Sequence, residues 1–495
     1  MSKKNTNFAY NFYTSTMTDD NSLKQKTARG LIWGGFSNGI VQLLGALFGI
    51  ILLNLLTPED YGKIAVLLIF SSIAASLQES GFNAALINKK EPTHDEYNAV
   101  FWFNIIVSIS IYVILWFAAP YIAEFYHEPV LCPLARLLFL GFVFSALGSV
   151  QRAYIMGHLL VKQNSITLIV ALLVSNIIGV TMAFLGFAFW GLATQALVYV
   201  LVTTICNWYV SPWRPTLHID LRPAWKMFSF SSKLLVTNLF NQLNSQVFSF
   251  LLGHYYNTKT AGIYSNARKW NDMAVNTIQG MMSGVSQPVL AQVADDDGRY
   301  RMVFRKMLRF ASFVSFPCML GLALIAPEFI LITVRNKWIE SAPILSLLCI
   351  YGAFYPITML YSNMAISRGK SGINMFCTIS LCILVWAGLF LLHSYGMYPM
   401  IIYFVVINLL WLVVWQWFAW KMIRLSFWDA MKDVLPFFCF AATVMAVTWF
   451  ATRNIENIYI AIVAKITLAA LLYLGITYLS GARIMRESIE YLRKK

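Results

Sequence analysis

Apolar runs of about twenty residues, each enough to cross a hydrocarbon core of roughly 30 Å, recur along the whole chain. They predict spans near 27–56, 63–88, 97–119, 133–157, 163–185 and 189–211, then near 227–253, 261–291, 308–333, 341–367, 373–393 and 398–420, and finally near 433–452 and 458–480. That makes about fourteen transmembrane helices. The polar positions inside them repeat. From Asn38 to Gly62 and again from Asn238 to Gly262, six of twenty-five positions agree at an offset of 200: Asn38/Asn238, Gln42/Gln242, Leu43/Leu243, Phe48/Phe248, Leu52/Leu252 and Gly62/Gly262. In each copy the Asn and Gln stand at i and i+4, on one face of a helix. At an offset of 203, Ser80-Gly81 matches Ser283-Gly284, and Tyr97, Val100 and Phe101 match Tyr300, Val303 and Phe304. Six spans separate the copies, so equivalent helices run the same way and the repeat is parallel.

The expected fold is therefore an all-α polytopic membrane protein: two six-helix lobes related by a parallel repeat, plus two C-terminal helices. Residues 1–22, polar and without an apolar run, read as a disordered cytoplasmic tail. Residues 23–211 form the first lobe and 212–226 a cytoplasmic inter-lobe loop marked by Pro212, Pro215 and Pro223. Residues 227–424 form the second lobe, and 425–495 hold the last two spans and a basic tail. Outer connections are short, the largest near 120–132 and 334–340.

Composition agrees, with 59% hydrophobic residues, 12% charged and a mean hydropathy of +0.64. The net charge of +15 would suggest nucleic acid in a soluble protein. Here 27 Lys and Arg fall in segments on one side of the predicted spans, and only Lys63, Lys259, Arg335, Lys337 and Arg453 on the other. Basic residues favour cytoplasmic loops, so the bias places both termini in the cytoplasm and removes nucleic acid as a partner. The seven cysteines lie mostly in apolar runs without metal-ligand spacing and read as small buried hydrophobes.

Ionisable groups inside spans are costly and usually face a bundle interior or a watery cavity. The basic ones are Lys233, Arg268, Lys269 and Lys465, with Arg136 and Arg152 at span ends; the acidic ones are Glu79 and Asp272. This excess favours an anion. Arg268 and Asp272 at i and i+4 suit a structural ion pair, which leaves a second cation for phosphate. Asn38, Gln42, Asn238 and Gln242 suit either interhelical hydrogen bonds or sugar hydroxyls. No HExxH, GxSxG or GxxxxGK[ST] pattern occurs, and the six histidines are scattered, so no enzyme chemistry is indicated.

The chain resembles the polysaccharide-exporting branch of the MOP superfamily, the Wzx-like flippases related to MATE exporters and MurJ-type flippases. The resemblance rests on Ala28-Arg29-Gly30, on Leu56-Thr57-Pro58-Glu59-Asp60-Tyr61-Gly62 and on Glu79-Ser80-Gly81-Phe82. It continues through Ala261-Gly262-Ile263-Tyr264-Ser265, Gln287-Pro288-Val289-Leu290, Lys337-Trp338 and Gly369-Lys370-Ser371. Gln287 and Asn336 stand where that family has an aromatic residue and a Gly. The resemblance implies two lobes facing a central cavity that moves an undecaprenyl-diphosphate-linked oligosaccharide across a bacterial inner membrane by alternating access. It would make O-antigen, capsule or exopolysaccharide precursors the cargo, and membrane lipids, a polymerase and glycosyltransferases the neighbours. Arg268, Lys269 and Lys233 would hold the diphosphate, and the four amides would contact sugar or the lobe interface. No cofactor is implied beyond a transported sodium ion or proton, with Asp272 or Glu79 as the coupling acid. The rivals are a MATE-type drug antiporter, which calls for more acidic groups, and a membrane polymerase or ligase, which calls for a larger outer loop.

Overall fold

The computed structural model describes residues 39–79, 82, 86, 92–158, 160–292 and 296–480. Fourteen long helices run through them: α1 (Gly39–Leu55), α2 (Pro58–Glu79), α3 (His94–Phe125), α4 (Leu131–Gly157), α5 (Val161–Phe184), α6 (Phe189–Val210), α7 (Arg222–Tyr255), α8 (Thr258–Gln292), α9 (Asp297–Val334), α10 (Ser341–Ser367), α11 (Ser371–Leu392), α12 (Met397–Ile423), α13 (Phe427–Thr452) and α14 (Ile458–Leu479). Each predicted span overlaps one of them, the first two only in part because residues 27–38 and most of 80–88 lie outside the described residues. Eleven of the described helices have both the length and the hydropathy to cross a membrane. The other three are α1, described over seventeen residues, and α7 and α8. Polar residues lower the hydropathy of α7 and α8, and the amide stripe and embedded charges lie on these helices.

Several boundaries differ from the sequence expectation. α3 runs through Pro120 to Phe125, since a proline near a helix end removes little hydrogen bonding. α7 starts at Arg222, with Pro223 in its first turn, where a missing N–H costs nothing. α9 begins three turns before its apolar stretch, capped by Asp296, whose side chain accepts from Arg299 N at 3.0 Å. That extension turns Arg305 and Arg309 toward Asp433 of α13, and Arg305 Nε meets Asp433 Oδ2 at 2.6 Å.

The long connection between α6 and α7 lies against the first half. Asn98 of α3 donates to His218 O and accepts from Thr216 N, while Trp102 Nε1 donates to Thr216 O at 2.8 Å. The repeat matches here too: Tyr97 and Phe101 of α3 and Tyr300 and Phe304 of α9 are all buried. Within each half, amides and small residues join neighbouring helices, as lipid gives little hydrophobic drive for helix association. Gln195 donates to Asn176 at 2.8 Å and Asn104 to Ser149 at 2.9 Å. Large apolar side chains such as Ile114, Phe117, Leu391 and Leu471 point outward, as lipid contact requires.

The last two helices dock on α9. Lys465 of α14 reaches Glu328 Oε1 at 2.5 Å, and both side chains are largely buried. This corrects the sequence inventory, which missed Glu328 and counted Lys465 as a cavity cation. Lys465→Met should lower the thermal midpoint in detergent by several degrees, because it strands a buried carboxylate. Adding Glu328→Met should restore most of the loss; a double variant no more stable than the single would show that the pair does not hold the helices together.

Candidate functional site

The two halves meet along α1 and α2 on one side and α7, α8 and α9 on the other. α2 packs more extensively on α7 and α8 than on α3, α4 or α6 of its own half. Positions 42, 46, 49 and 53 form one stripe along α1, and each meets the second half. Gln42 and Ala46 line a groove of about 270 Å³ with Trp270, Met273, Ala274 and Thr277 of α8 and Leu322 and Phe329 of α9. Gly49 lies against Lys269: a Cβ there would stand 2.5 Å from the Lys269 Nζ. Leu53 offers its carbonyl oxygen to Trp338 Nε1 at 2.8 Å.

Lys269 is eleven residues into α8, about 16 Å from its start at 1.5 Å per residue, close to half the thickness of a bilayer core. Its side chain crosses the seam toward α1. Among the described residues no acceptor pairs with its ammonium. Arg268, about 100° around the helix, points instead into its own half. Its Nε meets Asp272 Oδ2 at 3.2 Å and its Nη1 meets the Tyr264 hydroxyl at 3.4 Å. Asp272 also accepts from Asn271 Nδ2 at 3.2 Å. The single carboxylate of this stretch is thus spent on Arg268, and the neighbouring cation is left for something else.

The other predicted site residues divide as follows. Gln242 of α7 is exposed, and the hydroxyl of Ser245 donates to its backbone and side-chain oxygens. Among the described residues it makes no hydrogen bond with Gln42, so the two repeated amides do not form a pair. Asn38 lies outside the described residues. Lys233, Asn238 and Glu79 fall on α7 and α2, and their side chains lie outside the description. Two larger crevices, about 760 and 570 Å³, lie among α9, α10, α12, α13 and α14. Their one charged lining residue among those described is Lys465, which is engaged by Glu328.

One end of this seam is sealed. Loops from both halves converge there, as contacts among residues 54–63, 125–128, 189, 254–258, 337–338 and 393 show. At its centre α2 and α8 cross at their first turns. A Cβ on Gly62 would stand 1.7 Å from the Thr258 carbonyl oxygen, and one on Gly262 1.8 Å from that of Pro58. These contacts exchange under the offset of 200, so the crossing lies on the two-fold relation of the halves. Around it, Phe125 stacks on His254 with centroids 3.8 Å apart on one flank. On the other, Tyr61 meets Trp338 edge-on at 5.4 Å. The Lys337 and Trp338 contacts were legible in the sequence as a shared motif only; nothing in their spacing tells which carbonyls they reach.

The chain from 51 to 343 matches the family model described as polysaccharide biosynthesis protein. It is 26% identical to the lipopolysaccharide biosynthesis protein WzxC of Escherichia coli (strain K12), over 71% of this chain and 72% of that protein. It is 22% identical to the teichuronic acid biosynthesis protein TuaB of Bacillus subtilis (strain 168), over 88% and 91%. Among solved structures, the lipid II flippase MurJ in an inward closed conformation superposes with a TM-score of 0.77 at 14% identity, covering 92% of this chain and 100% of that one. An inward-facing multidrug resistance MATE family transporter of the MOP superfamily follows at 0.62 and 14%, covering 79% and 98%. At these identities the structural likeness is one of fold, a MATE-like bundle of helices.

Proposed function

The chain belongs to the polysaccharide biosynthesis protein family, and from that membership we infer that it is a flippase for a polyprenyl-diphosphate-linked oligosaccharide. The observation that carries the reading is Lys269: an ammonium at mid-bundle depth, on the seam between the halves, with no acceptor among the described residues. A lone cation in a low-dielectric interior resists being closed off from water. A diphosphate supplies the missing charge and accepts charge-assisted hydrogen bonds, so the loaded carrier can close over its cargo where the empty one resists. Arg268 lies next to Lys269 in sequence and presents a guanidinium held in place by Asp272. Lys233 is the third candidate for the anion.

Gln42 and Gln242, with Asn38 and Asn238, are assigned to sugar hydroxyls or to the lobe interface; Gln42 lies in the seam groove. Asp272 and Glu79 are the acids through which a sodium or proton gradient would act. We assign the protein to the bacterial inner membrane with both termini in the cytoplasm, on the bias of its basic residues; in that orientation the sealed end faces outward and the cargo enters from the opposite end. The cation-drug reading is the weaker one, because Asp272 is already neutralised by Arg268.

The test is leaflet-resolved transport in proteoliposomes. Reconstituted protein is expected to move a polyprenyl-diphosphate oligosaccharide between leaflets at a rate well above protein-free vesicles, and to give no resistance to cationic drugs on expression. Drug efflux without glycan movement would overturn the assignment.

A further inference from the structure

Helix α1 ends at Leu55 within the sealed end, and its last carbonyls have no intrahelical partner. The second half supplies the donors. Trp338 Nε1 donates to Leu53 O at 2.8 Å, and Lys337 Nζ donates to Asn54 O at 2.8 Å and to Leu56 O at 2.5 Å. Asn54 answers from the other side, donating from Nδ2 to Thr333 O of α9 at 2.7 Å. A cation at this position also meets the negative end of the α1 dipole. Two consecutive residues of one half thus cap a helix of the other.

The cap follows a strained backbone position. Arg335, two residues before Lys337, holds φ +67° and ψ 179°, a region that residues other than glycine rarely adopt. On the other flank His254 Nδ1 lies 3.1 Å from Phe125 O beside the ring stack, and Thr258 Oγ1 donates to Glu128 Oε1 at 3.4 Å; among the described residues no lysine caps a helix end there. The seal is therefore two-fold at its glycine crossing, bridged by hydrogen bonds on both flanks, and carries its ammonium donor on one flank.

We propose that Lys337 and Trp338 are the latch of the sealed end, donors of the second half that cap the α1 carbonyls in the closed state and must withdraw for that end to open. The proposal rests on the transport reading for its purpose. The withdrawal is reversible because water entering the opened end replaces the lost donors at Leu53, Asn54 and Leu56. Hydrogen bonds from a charged donor are worth about 1.5–3 kcal/mol net, so losing the ammonium shifts the closed-to-open ratio by about tenfold or more.

Pairs of spin labels at positions 59 and 259, on a background with the seven cysteines replaced, report the distance across this end in nanodiscs without substrate. A second pair at 158 and 370 reports the opposite end. Glu59, Lys259, His158 and Lys370 are all exposed. Lys337→Met is expected to move population toward longer 59–259 distances and shorter 158–370 distances. Trp338→Phe, which keeps the ring against Tyr61, should do so less, and Lys337→Arg should restore the parent distribution. Unchanged distances at both pairs would overturn the latch. So would lengthening at 59–259 without a countermovement at 158–370, which would mark a local structural role. Because these distances need no cargo, a failed glycan-transport assay leaves the latch standing, and a failed latch leaves the transport assignment standing.

Discussion

Gly62→Ala and Gly262→Ala are each expected to cut transport a hundredfold or more and to lower the thermal midpoint in detergent. At each glycine a Cβ would lie less than 2 Å from a backbone carbonyl oxygen of the other half. A helix backbone cannot swing aside as a long side chain can, so α2 and α8 must part by more than an ångström. Overpacking of this kind costs about 1–3 kcal/mol even in cores that can adjust. Here the displacement also moves Tyr61 and Trp338 apart and pulls Leu53, Asn54 and Leu56 away from their donors. The bundle then stays folded by its other contacts and loses the state in which this end is closed.

The two-fold relation makes the prediction sharper. Both single variants should behave alike, and the double variant should be less than additive, since one separation of the helices accommodates both methyl groups. Gly372→Ala is the control, because a Cβ there meets nothing within 4 Å. Transport and unfolding measured side by side decide the matter. A Gly62→Ala protein that carries cargo at the parent rate would mean that the crossing is never drawn this tight in the cycle.

The same glycines show what could be read ahead of the structure. Gly62 and Gly262 close the repeated stretch in the sequence, and at each of them the backbones of the two halves come so close that an added Cβ would lie under 2 Å from a carbonyl oxygen. Periodicity and the repeat conveyed the helices and their parallel relation, because lipid demands long apolar runs whatever the tertiary packing. Partners distant in sequence were out of reach. Lys465 looked like a cavity cation until Glu328, 137 residues away, was found on it. Lys337 and Trp338 were visible as a motif, yet their targets lie some 280 residues earlier. The charge stretch of α8 was legible locally: the i,i+4 pairing of Arg268 with Asp272 follows from helix geometry. That the adjacent Lys269 crosses to Gly49 does not, since it depends on how two distant helices approach.

Lys269→Met is expected to reduce transport of the lipid-linked glycan by about ten- to a hundredfold, the fold-change equivalent to one charge-assisted hydrogen bond of about 1.5–3 kcal/mol. Lys269→Arg should retain most of the rate, as it keeps the charge and can grip phosphate. Arg268→Met should be nearly as damaging, by a second route besides the loss of a candidate anion ligand. Removing the guanidinium frees the Asp272 carboxylate, three residues from Lys269 on the same helix, where it can neutralise the remaining cation. The site would then offer an ion pair in place of a positive charge. The distinguishing case is Arg268→Met combined with Asp272→Asn, which removes that competitor and should recover activity above the Arg268→Met level. If the combined variant is no better than Arg268→Met, Arg268 itself contacts the cargo. If Lys269→Met transports like the parent in proteoliposomes, the anion does not bind at the seam, and the charge at Gly49 serves some other purpose.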